Sequence, residues 1–542
     1  MLIATGQAVM AHLMPEGPST VTWATIVLSI FLIILITEEI RRFLVSSSRE
    51  HGSSSKGLKV LPGPWGLPLL GNILQLGTAP HVTLKEMARK YGDVFQIRIG
   101  SRPVVVLNGY QAIRQALVKQ SIDFAGRPDL SSTRSIQDIF GSTLAFSTHG
   151  EGWKLQRKIT HSTLRHFTSG SQLSSVGARI SREALDLIEA WTSQPEKNNS
   201  VSEGVQSKRH PFNILKLSVS NVMYSYIFGR RHTLDDQKLL DFIDMSDAFS
   251  EAIGTGNPAD FMPWLRHFSG RIHDRFVRML REYKDWFGKD IADHIHKYEE
   301  DSEANILDYL ITVCRRTDQE KMERLGLSEE IITSSVHDMF GAGFDTMSAA
   351  LKWAVALMII HPDVQRELQA EIDAVIGRDR YPATSDRGRL PLTESCLLEV
   401  FRYSSMIPMT IPHSTTKDTE LNGYFIPKDT VVFVNLHSMH HDENRWEKPE
   451  EFNPRRFLTE DGSRLDPAKT VDVMPFGAGK RRCIGSELAR LEFFLYFTTL
   501  MHQCNLAAAD GVTPKMQHSP GLVQTPLPFS MTVRKRDENR EP

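Results

Sequence analysis

A single cysteine, Cys483, stands in a glycine-rich and cationic loop, residues 476–485 (FGAGKRRCIG), directly before a helical pattern. The amide groups and positive dipole end of that helix would stabilise a thiolate, and the adjacent cations add to the effect. One thiolate without a second Cys or His nearby suits haem iron. The alternative is an unreactive buried cysteine in a turn. The loop is therefore a candidate haem-ligand site.

A second candidate site lies in residues 337–346 (HDMFGAGFDT), inside a long helical pattern. Each of the two glycines costs about 1 kcal/mol relative to alanine within a helix, so they need a structural reason. One reason is close approach of a flat ligand beside a local distortion of the helix. The other is a tight contact between two helices. In the first case Thr346 would offer a hydroxyl at the gap and Asp345 a route for protons.

Two charged motifs accompany these sites. Glu399 and Arg402 are three residues apart on a predicted helix and can pair, and residues 452–457 (FNPRRF) lie between them and the cysteine loop. The same ExxR spacing recurs elsewhere in the chain, so the position of Glu399 carries the argument. Trp153 and Arg157 share one helix face, where they could meet the carboxylates of a haem.

The composition limits the class of protein. The chain has 542 residues, of which 41% are hydrophobic and 24% are charged, and its net charge is −2. These values are typical of a globular protein and give no overall basic field for binding nucleic acid. Four scattered cysteines exclude a disulfide scaffold, and the sequence has no CxxC pair to indicate structural zinc. We expect a reducing, cytosol-facing environment.

The amino-terminal sequence predicts a membrane anchor. Residues 21–37 carry no charge and approach the length that spans a bilayer, and the positive charges follow this segment rather than precede it. That order argues against a cleaved signal peptide and places the main domain in the cytosol. A buried core helix is the alternative. We divide the chain into a short lumenal terminus (1–20), the anchor (21–37), a polar linker with a Pro-rich hinge (38–68) and a catalytic domain (69–542).

The elements that must position these motifs are mostly helical. Residues 94–99 and 104–107 predict a hairpin, and residues 430–435 predict a further strand. The longest helical pattern runs from Ser328 to His361 and ends before Pro362. The sequence predicts a mainly α fold with a small β-rich part.

The loop FGAGKRRCIG resembles the cysteine-loop signature of the cytochrome P-450 superfamily, and AGFDT at 342–346 resembles its oxygen-binding helix motif. The resemblance implies the cytochrome P-450 fold, haem b as cofactor and Cys483 as the axial iron ligand. It also implies that Thr346 and Asp345 deliver protons. The further implied roles are a buried structural network for Glu399, Arg402 and Arg456, and contact with the haem for Phe476, Arg481, Trp153, Arg157, Arg127 and His413.

Several segments, among them YGDVFQIRIG, TIPHSTT and IPKDTVVFVN, look like vertebrate family 1 of that superfamily, the aryl-hydrocarbon-hydroxylase branch. VVLNG, IPKDTVVFVN and GKRRCIG look most like its subfamilies B and C, while GNPADF also resembles subfamily A. This resemblance implies a narrow pocket for planar substrates, lined by Phe249, Phe340 and Ala342. Thr133 and Ser246 differ from the residues common in close relatives, so a ranking of substrates does not carry over.

The function so implied is a membrane-anchored haem-thiolate monooxygenase. It would insert one oxygen atom from O₂ into planar hydrophobic substrates such as polycyclic aromatics, oestrogen-like steroids, retinoids and fatty acids. Electrons would come from NADPH through NADPH–cytochrome P-450 reductase, with cytochrome b5 as a further partner. The location would be the endoplasmic reticulum membrane, with microsomal and mitochondrial membranes as related sites. The alternatives are a haem-thiolate isomerase or dehydratase acting on peroxides, which has no need of Asp345 and Thr346, and a non-catalytic haem sensor.

Overall fold

The computed structural model describes residues 59–170, 172–193, 211–255, 258–262, 265, 270–300 and 302–536, together with residues 25, 29, 33 and 37. The predicted anchor at 21–37 therefore lies outside the described residues except for those four isolated positions. The division of the chain into anchor, linker and catalytic domain stays a prediction.

Helices dominate the described chain. Those of ten residues or more are numbered in chain order as follows: α1 (Pro80–Tyr91), α2 (Ser131–Phe140), α3 (Glu151–Phe167), α4 (Gln172–Thr192), α5 (Pro211–Phe228), α6 (Gln237–Thr255), α7 (Gly270–His296), α8 (Ile306–Arg316), α9 (Glu330–Ile360), α10 (Pro362–Ile376), α11 (Pro391–Ser404) and α12 (Ser486–Gln503).

The β-rich part is small, as the sequence predicts. The strands are β1 (Val94–Ile99), β2 (Arg102–Leu107), β3 (His413–Ser414), β4 (Thr419–Leu421), β5 (Tyr424–Ile426), β6 (Val431–Val434), β7 (Cys504–Ala508) and β8 (Met531–Lys535). One four-stranded sheet has the order β1-β2-β6-β3, and β4-β5 and β7-β8 form two-stranded sheets. The predicted hairpin is confirmed: β1 pairs with β2 in antiparallel register, and Gly100 takes a positive φ of 58° in the turn.

The central element is α9. The pattern from Ser328 to His361 becomes a helix over Glu330–Ile360, which ends where Pro362 opens α10. Within the described part of the chain, α9 alone is long and apolar enough to cross a membrane, but most of it is buried inside the domain. It is therefore the core helix of the fold rather than a membrane span.

The core forms where α9 and α12 pack with α4 and α5. Every residue of α5 except Asn213 is buried, so this helix is covered on all sides. This packing gives a mainly α domain and fixes α9 in relation to the cysteine loop that precedes α12. The predicted fold class is confirmed.

Candidate active site

The cysteine loop is a closed turn in front of α12. The backbone N–H of Cys483 donates to the carbonyl of Phe476 at 2.9 Å, which closes the loop on itself. Gly479 has a φ of +66°, and a Cβ at that position would lie 1.7 Å from the Leu117 carbonyl oxygen. Only glycine fits there. The loop therefore has one fixed shape, with the cysteine just before the first residue of α12, Ser486.

The Cys483 residue is exposed, yet the surrounding protein raises the pKa of its thiol by burial. The Gly485 N–H, Arg157 and Arg482 act in the other direction and lower that pKa. The predicted stabilisation of the thiolate is thus present but outweighed by burial. Coordination to a metal deprotonates a thiol outright.

Three guanidinium groups converge beside the loop, and we call Arg127, Arg157 and Arg481 the arginine cluster. Arg481 and Arg157 lie over the ring of Trp153, with the guanidinium carbons 4.0 and 5.3 Å from its centroid. Their N–H groups are held by backbone carbonyls: Ala145, Ile411 and Pro412 for Arg127; Ala125, Leu144 and Ser147 for Arg481; and Arg482 for Arg157.

The arginine cluster carries unbalanced charge. Among the described residues, no carboxylate pairs with any of its three members. Burial, followed by repulsion from the other arginines, lowers the pKa of Arg481 to about 8, and burial with repulsion from Arg157 lowers that of Arg127 to about 9. A half-buried cluster of this kind is complementary to a ligand that brings carboxylates.

His413 joins the cluster as a neutral donor. It is buried, and its Nδ1 lies 2.7 Å from the carbonyl oxygen of Phe124, so Nδ1–H donates there. Burial and the charges of Arg127 and Arg481 lower its pKa to about 3. The imidazole therefore adds no further positive charge at neutral pH.

The face of α9 that carries Ala342 is open although most of the helix is buried. Ala342 is exposed, and the Thr346 hydroxyl donates to its carbonyl at 2.7 Å. The neighbouring glycines serve a different purpose, because an added Cβ on Gly341 would lie 2.5 Å from the Tyr283 hydroxyl and one on Gly343 would lie 2.7 Å from the Met223 sulfur. Of the two reasons for these glycines, the structure shows the contact between helices.

Asp345 points into a different environment from Thr346. Its carboxylate bonds with Ser250 of α6 and faces two lysines, Lys216 of α5 and Lys352 of α9. Burial raises the pKa of Asp345, and the two lysines oppose that shift. Burial and the charge of Lys216 lower the pKa of Lys352 to about 7. Lys216 is itself buried and paired with the more exposed Asp247.

The residues predicted to line a substrate pocket have different surroundings. Phe249 is half-buried, and its ring is nearly parallel to those of Phe276 and Tyr283, with centroids 6.4 and 6.2 Å away. Phe340 is fully buried and packs against core rings such as that of Phe242. The Thr133 hydroxyl is hydrogen-bonded to the backbone at the start of α2. Ser246 is also buried.

The structure brings Glu399, Arg402 and Arg456 together. Arg402 donates to both carboxylate oxygens of Glu399 at 2.7 and 2.9 Å, and Arg456 donates to the same carboxylate at 3.2 Å. Arg402 also donates to the His440 carbonyl at 2.8 Å, and the His440 ring accepts from the Met474 N–H at 3.3 Å. This ion network is therefore connected to the start of the cysteine loop.

Comparison with known proteins identifies the family. The family model described as Cytochrome P450 matches residues 61–533, and cytochrome P450 1A5 of Gallus gallus is 39% identical over 522 residues, 95% of each chain. The chain belongs to the cytochrome P450 family. Cytochrome P450 1A1 of Oryzias latipes is 44% identical over 467 residues, which cover 86% of this chain and 89% of the relative. These relatives carry the designation 1A, so particular nearness to subfamilies B and C stays a prediction.

Membership makes this chain a monooxygenase that uses haem b and electrons derived from NADPH through a reductase. The residues of this P450 fit that cofactor. The haem of P450 proteins requires a thiolate ligand, and Cys483 offers an accessible thiol. Beside it lies the arginine cluster, which lacks a carboxylate partner among the described residues. Haem brings both an iron and two carboxylates.

Sequence patterns did not identify several charged or polar residues that influence the predicted site residues. Lys216, Lys352 and Asp338 are charged residues within otherwise apolar helical patterns, and such a residue signals a buried interaction. His440 carried no comparable signal, since its role depends on contacts with Arg402 and Met474 that lie far away in sequence.

Proposed function

We propose that Cys483 supplies the iron ligand of this monooxygenase and that the arginine cluster, with Trp153 and His413, holds the two haem carboxylates. The observation that supports this arrangement is that three guanidinium groups meet beside Cys483 and bond only to backbone carbonyls among the described residues. Burial, together with repulsion between these arginines, also lowers the pKa of Arg481 and Arg127. An anionic partner relieves that repulsion. Phe476 acts through its carbonyl, which fixes the loop. The bound haem supplies the oxygen-activating chemistry, and the chain positions it and manages protons.

Thr346 and Asp345 divide the handling of protons. Thr346 presents Oγ1 on the open face of α9, and Asp345 holds or releases a proton at its carboxylate among Lys216, Lys352 and Ser250. Burial raises the pKa of Asp345, and the charges of Lys216 and Lys352 oppose that shift.

The Thr346→Ala variant tests this role. We expect product per NADPH to fall by about tenfold or more, with hydrogen peroxide released instead, and substrate affinity to change little. Ser348→Ala is the matched control, because its hydroxyl makes the same bond to a carbonyl four residues earlier, at 2.7 Å, but is fully buried. An unchanged product ratio together with weaker substrate binding would make Thr346 a pocket residue.

The substrates we propose are planar and hydrophobic, as the resemblance to family 1 implies: polycyclic aromatics, oestrogen-like steroids, retinoids and fatty acids. The parallel rings of Phe249, Phe276 and Tyr283 support this class, and the Tyr283 hydroxyl abuts α9 at Gly341, next to the exposed Ala342. Rings stacked in this way present faces of the kind that pack on flat ring systems.

Spectral titration of the haem-loaded protein with pyrene and with adamantane, a compact non-planar hydrocarbon, tests that preference. We expect Phe249→Leu to weaken pyrene binding about two- to tenfold and adamantane binding less. Phe452→Leu is the control, since its ring contacts His361 and Tyr403 instead. Equal losses for both ligands would remove the role of Phe249 in recognising planarity.

The electron donor we propose is NADPH–cytochrome P-450 reductase, with cytochrome b5 as a second partner, at the endoplasmic reticulum membrane through the predicted anchor at 21–37. The exposed cations Lys158 and Lys480 near the cysteine loop support a basic docking surface. Two other cations of that surface have carboxylate neighbours: Lys154 pairs with Glu151 at 2.6 Å, and Arg482 lies 3.6 Å from Glu487.

A further inference from the structure

Residues 143–147, which we call the carbonyl loop, accept hydrogen bonds from the side chains beside Cys483. The Leu144 carbonyl accepts from Trp153 Nε1 at 3.0 Å and from Arg481 Nη1 at 3.3 Å. The Ala145 carbonyl accepts from Arg127 Nε at 2.7 Å. The directions of all three side chains therefore depend on where this loop lies.

The carbonyl loop is also bonded to itself. The Thr143 N–H donates to Ser147 Oγ at 2.8 Å, and the Phe146 N–H donates to Thr143 Oγ1 at 3.1 Å. The Ser147 carbonyl accepts from Arg481 Nη2 at 2.7 Å, a second bond to the same arginine. These internal bonds shape the loop but do not attach it to the rest of the core.

Asp338 attaches the carbonyl loop to α9, while Gln137 of α2 attaches it on another side, since its Nε2 donates to the Phe146 carbonyl at 3.1 Å. Asp338 lies on α9 one turn before Ala342, and its Oδ2 accepts from the Leu144 N–H at 2.6 Å, with the Ala145 N–H as a second donor to the carboxylate. The peptide group that gives the Ala145 N–H also contains the Leu144 carbonyl. A negative charge on the N–H side of that peptide strengthens its carbonyl as an acceptor for Trp153 and Arg481.

We propose that Asp338 is a positioning residue for the cofactor, one that orients Arg481, Trp153 and Arg127 through the carbonyl loop. The inference rests on the proposed binding of the haem carboxylates by the arginine cluster. It adds a connection between the helix that carries Thr346 and the groups that hold the haem.

The charge of Asp338 changes near neutral pH. Burial raises its pKa to about 7, although the two amide bonds act to lower it. Tyr283 on α7 is the titratable side chain that responds to the charge of Asp338. His337 is next to Asp338 on α9 and responds to Lys284, and Arg127 and Arg481 bond to the carbonyl loop. Ionisation as the pH rises through 7 tightens the two amide bonds, so the carbonyl loop is held more firmly at pH 8 than at pH 6.

The test is the rate at which the full-length, haem-loaded protein loses haem to excess apomyoglobin, measured at pH 6 and pH 8. We expect the wild type to lose haem about tenfold more slowly at pH 8, and Asp338→Asn to lose it at the faster rate at both values. Asp260→Asn is the matched control, because that buried carboxylate also accepts a backbone N–H, from Ser132 at 2.8 Å, but has no bond to the carbonyl loop. It should behave as the wild type.

Identical rates for Asp338→Asn and the wild type at both pH values would overturn the proposal. If Asp338→Asn takes up no haem, Asp338→Glu keeps the charge and should restore slow, pH-dependent loss. Loss of helical circular dichroism in step with loss of haem would show a purely structural role and would also overturn it. These outcomes differ from a failure of the proposed iron ligand, because none of them changes the thiolate-type carbon monoxide spectrum of the haem still bound.

Discussion

Arg402 and Arg481 both carry guanidinium groups set into the protein close to the cysteine loop, but their surroundings differ in charge. Arg402 is fully buried and bonds to both carboxylate oxygens of Glu399. Arg481 bonds only to backbone carbonyls among the described residues and lies near two further arginines, which help burial to lower its pKa to about 8.

This difference shows how a scaffold and a binding site can be told apart. Both arginines of the Glu399, Arg402 and Arg456 network bond to a carboxylate of the chain itself, so the network needs no ligand. The N–H groups of the arginine cluster bond to backbone carbonyls, but no carboxylate in the described chain offsets its positive charge, so we propose that an anion completes it. A carboxylate partner within the described chain, present for Arg402 and Arg456 and absent for the arginine cluster, separates the two regions.

The largest effect should follow from breaking the network of Glu399, Arg402 and Arg456. Glu399→Gln leaves Arg402 without its counter-charge in the core, and we expect the free energy of unfolding of the haem-loaded domain to fall by about 3–5 kcal/mol. Urea denaturation measures it. Glu367→Gln removes a carboxylate from an exposed pair with Arg455 and should cost about 1 kcal/mol or less. Similar losses in the two variants would contradict the distinction.

Changing the unbalanced region should affect the cofactor more than the fold. Arg481→Met removes one of the three positive charges that we propose bind the haem carboxylates, so we expect haem affinity to fall about tenfold. Because the removed charge also repels the other two arginines, the unfolding free energy should fall less than in Glu399→Gln. Haem transfer to apomyoglobin and urea denaturation give the two numbers. Unchanged haem affinity would mean that Arg481 is a scaffold residue like Arg402.

Glu492 on α12 extends the comparison to a carboxylate. Its Oε1 is buried without a hydrogen-bond partner in the described chain, and burial raises its pKa from 4.5 to about 8. The folded state therefore keeps a proton that the unfolded chain releases, and stability from this group is lost as the pH rises from 4.5 to 8. Glu492→Gln should gain stability relative to the wild type between pH 5 and pH 8. A pH-independent difference in unfolding free energy would show that Glu492 has a cation partner.

The smallest effect concerns paired and unpaired cations at the surface. Lys158 has no ion pair among the described residues, whereas Lys154 pairs with Glu151. We expect Lys158→Glu to slow electron transfer from the reductase about two- to fivefold at low salt, with a smaller change for Lys154→Glu and none for either variant at high salt. Stopped-flow reduction across ionic strengths measures this. Rates that do not depend on salt would remove the basic docking surface.

Local signals in the sequence predicted much of the fold. The proline at position 362 and the uninterrupted apolar pattern before it predict α9 to within two residues at each end, and the cysteine loop is readable as a motif. The contact of Asp338 with Leu144 joins residues 194 positions apart and depends on how α9 packs beside α3. Local patterns carry no such information. The sequence also left two reasons open for Gly341 and Gly343, and only the packed neighbours decided between them.

The central claim is that Cys483, beside an arginine cluster that needs an anion, is the ligand of the haem iron. The most direct measurement is the carbon monoxide difference spectrum of the reduced protein. Cys483→His should lose the red-shifted thiolate-type Soret band, whereas changing the buried Cys314, Cys396 and Cys504 together to Ser should leave it in place. Retention of that band by Cys483→His would contradict the account.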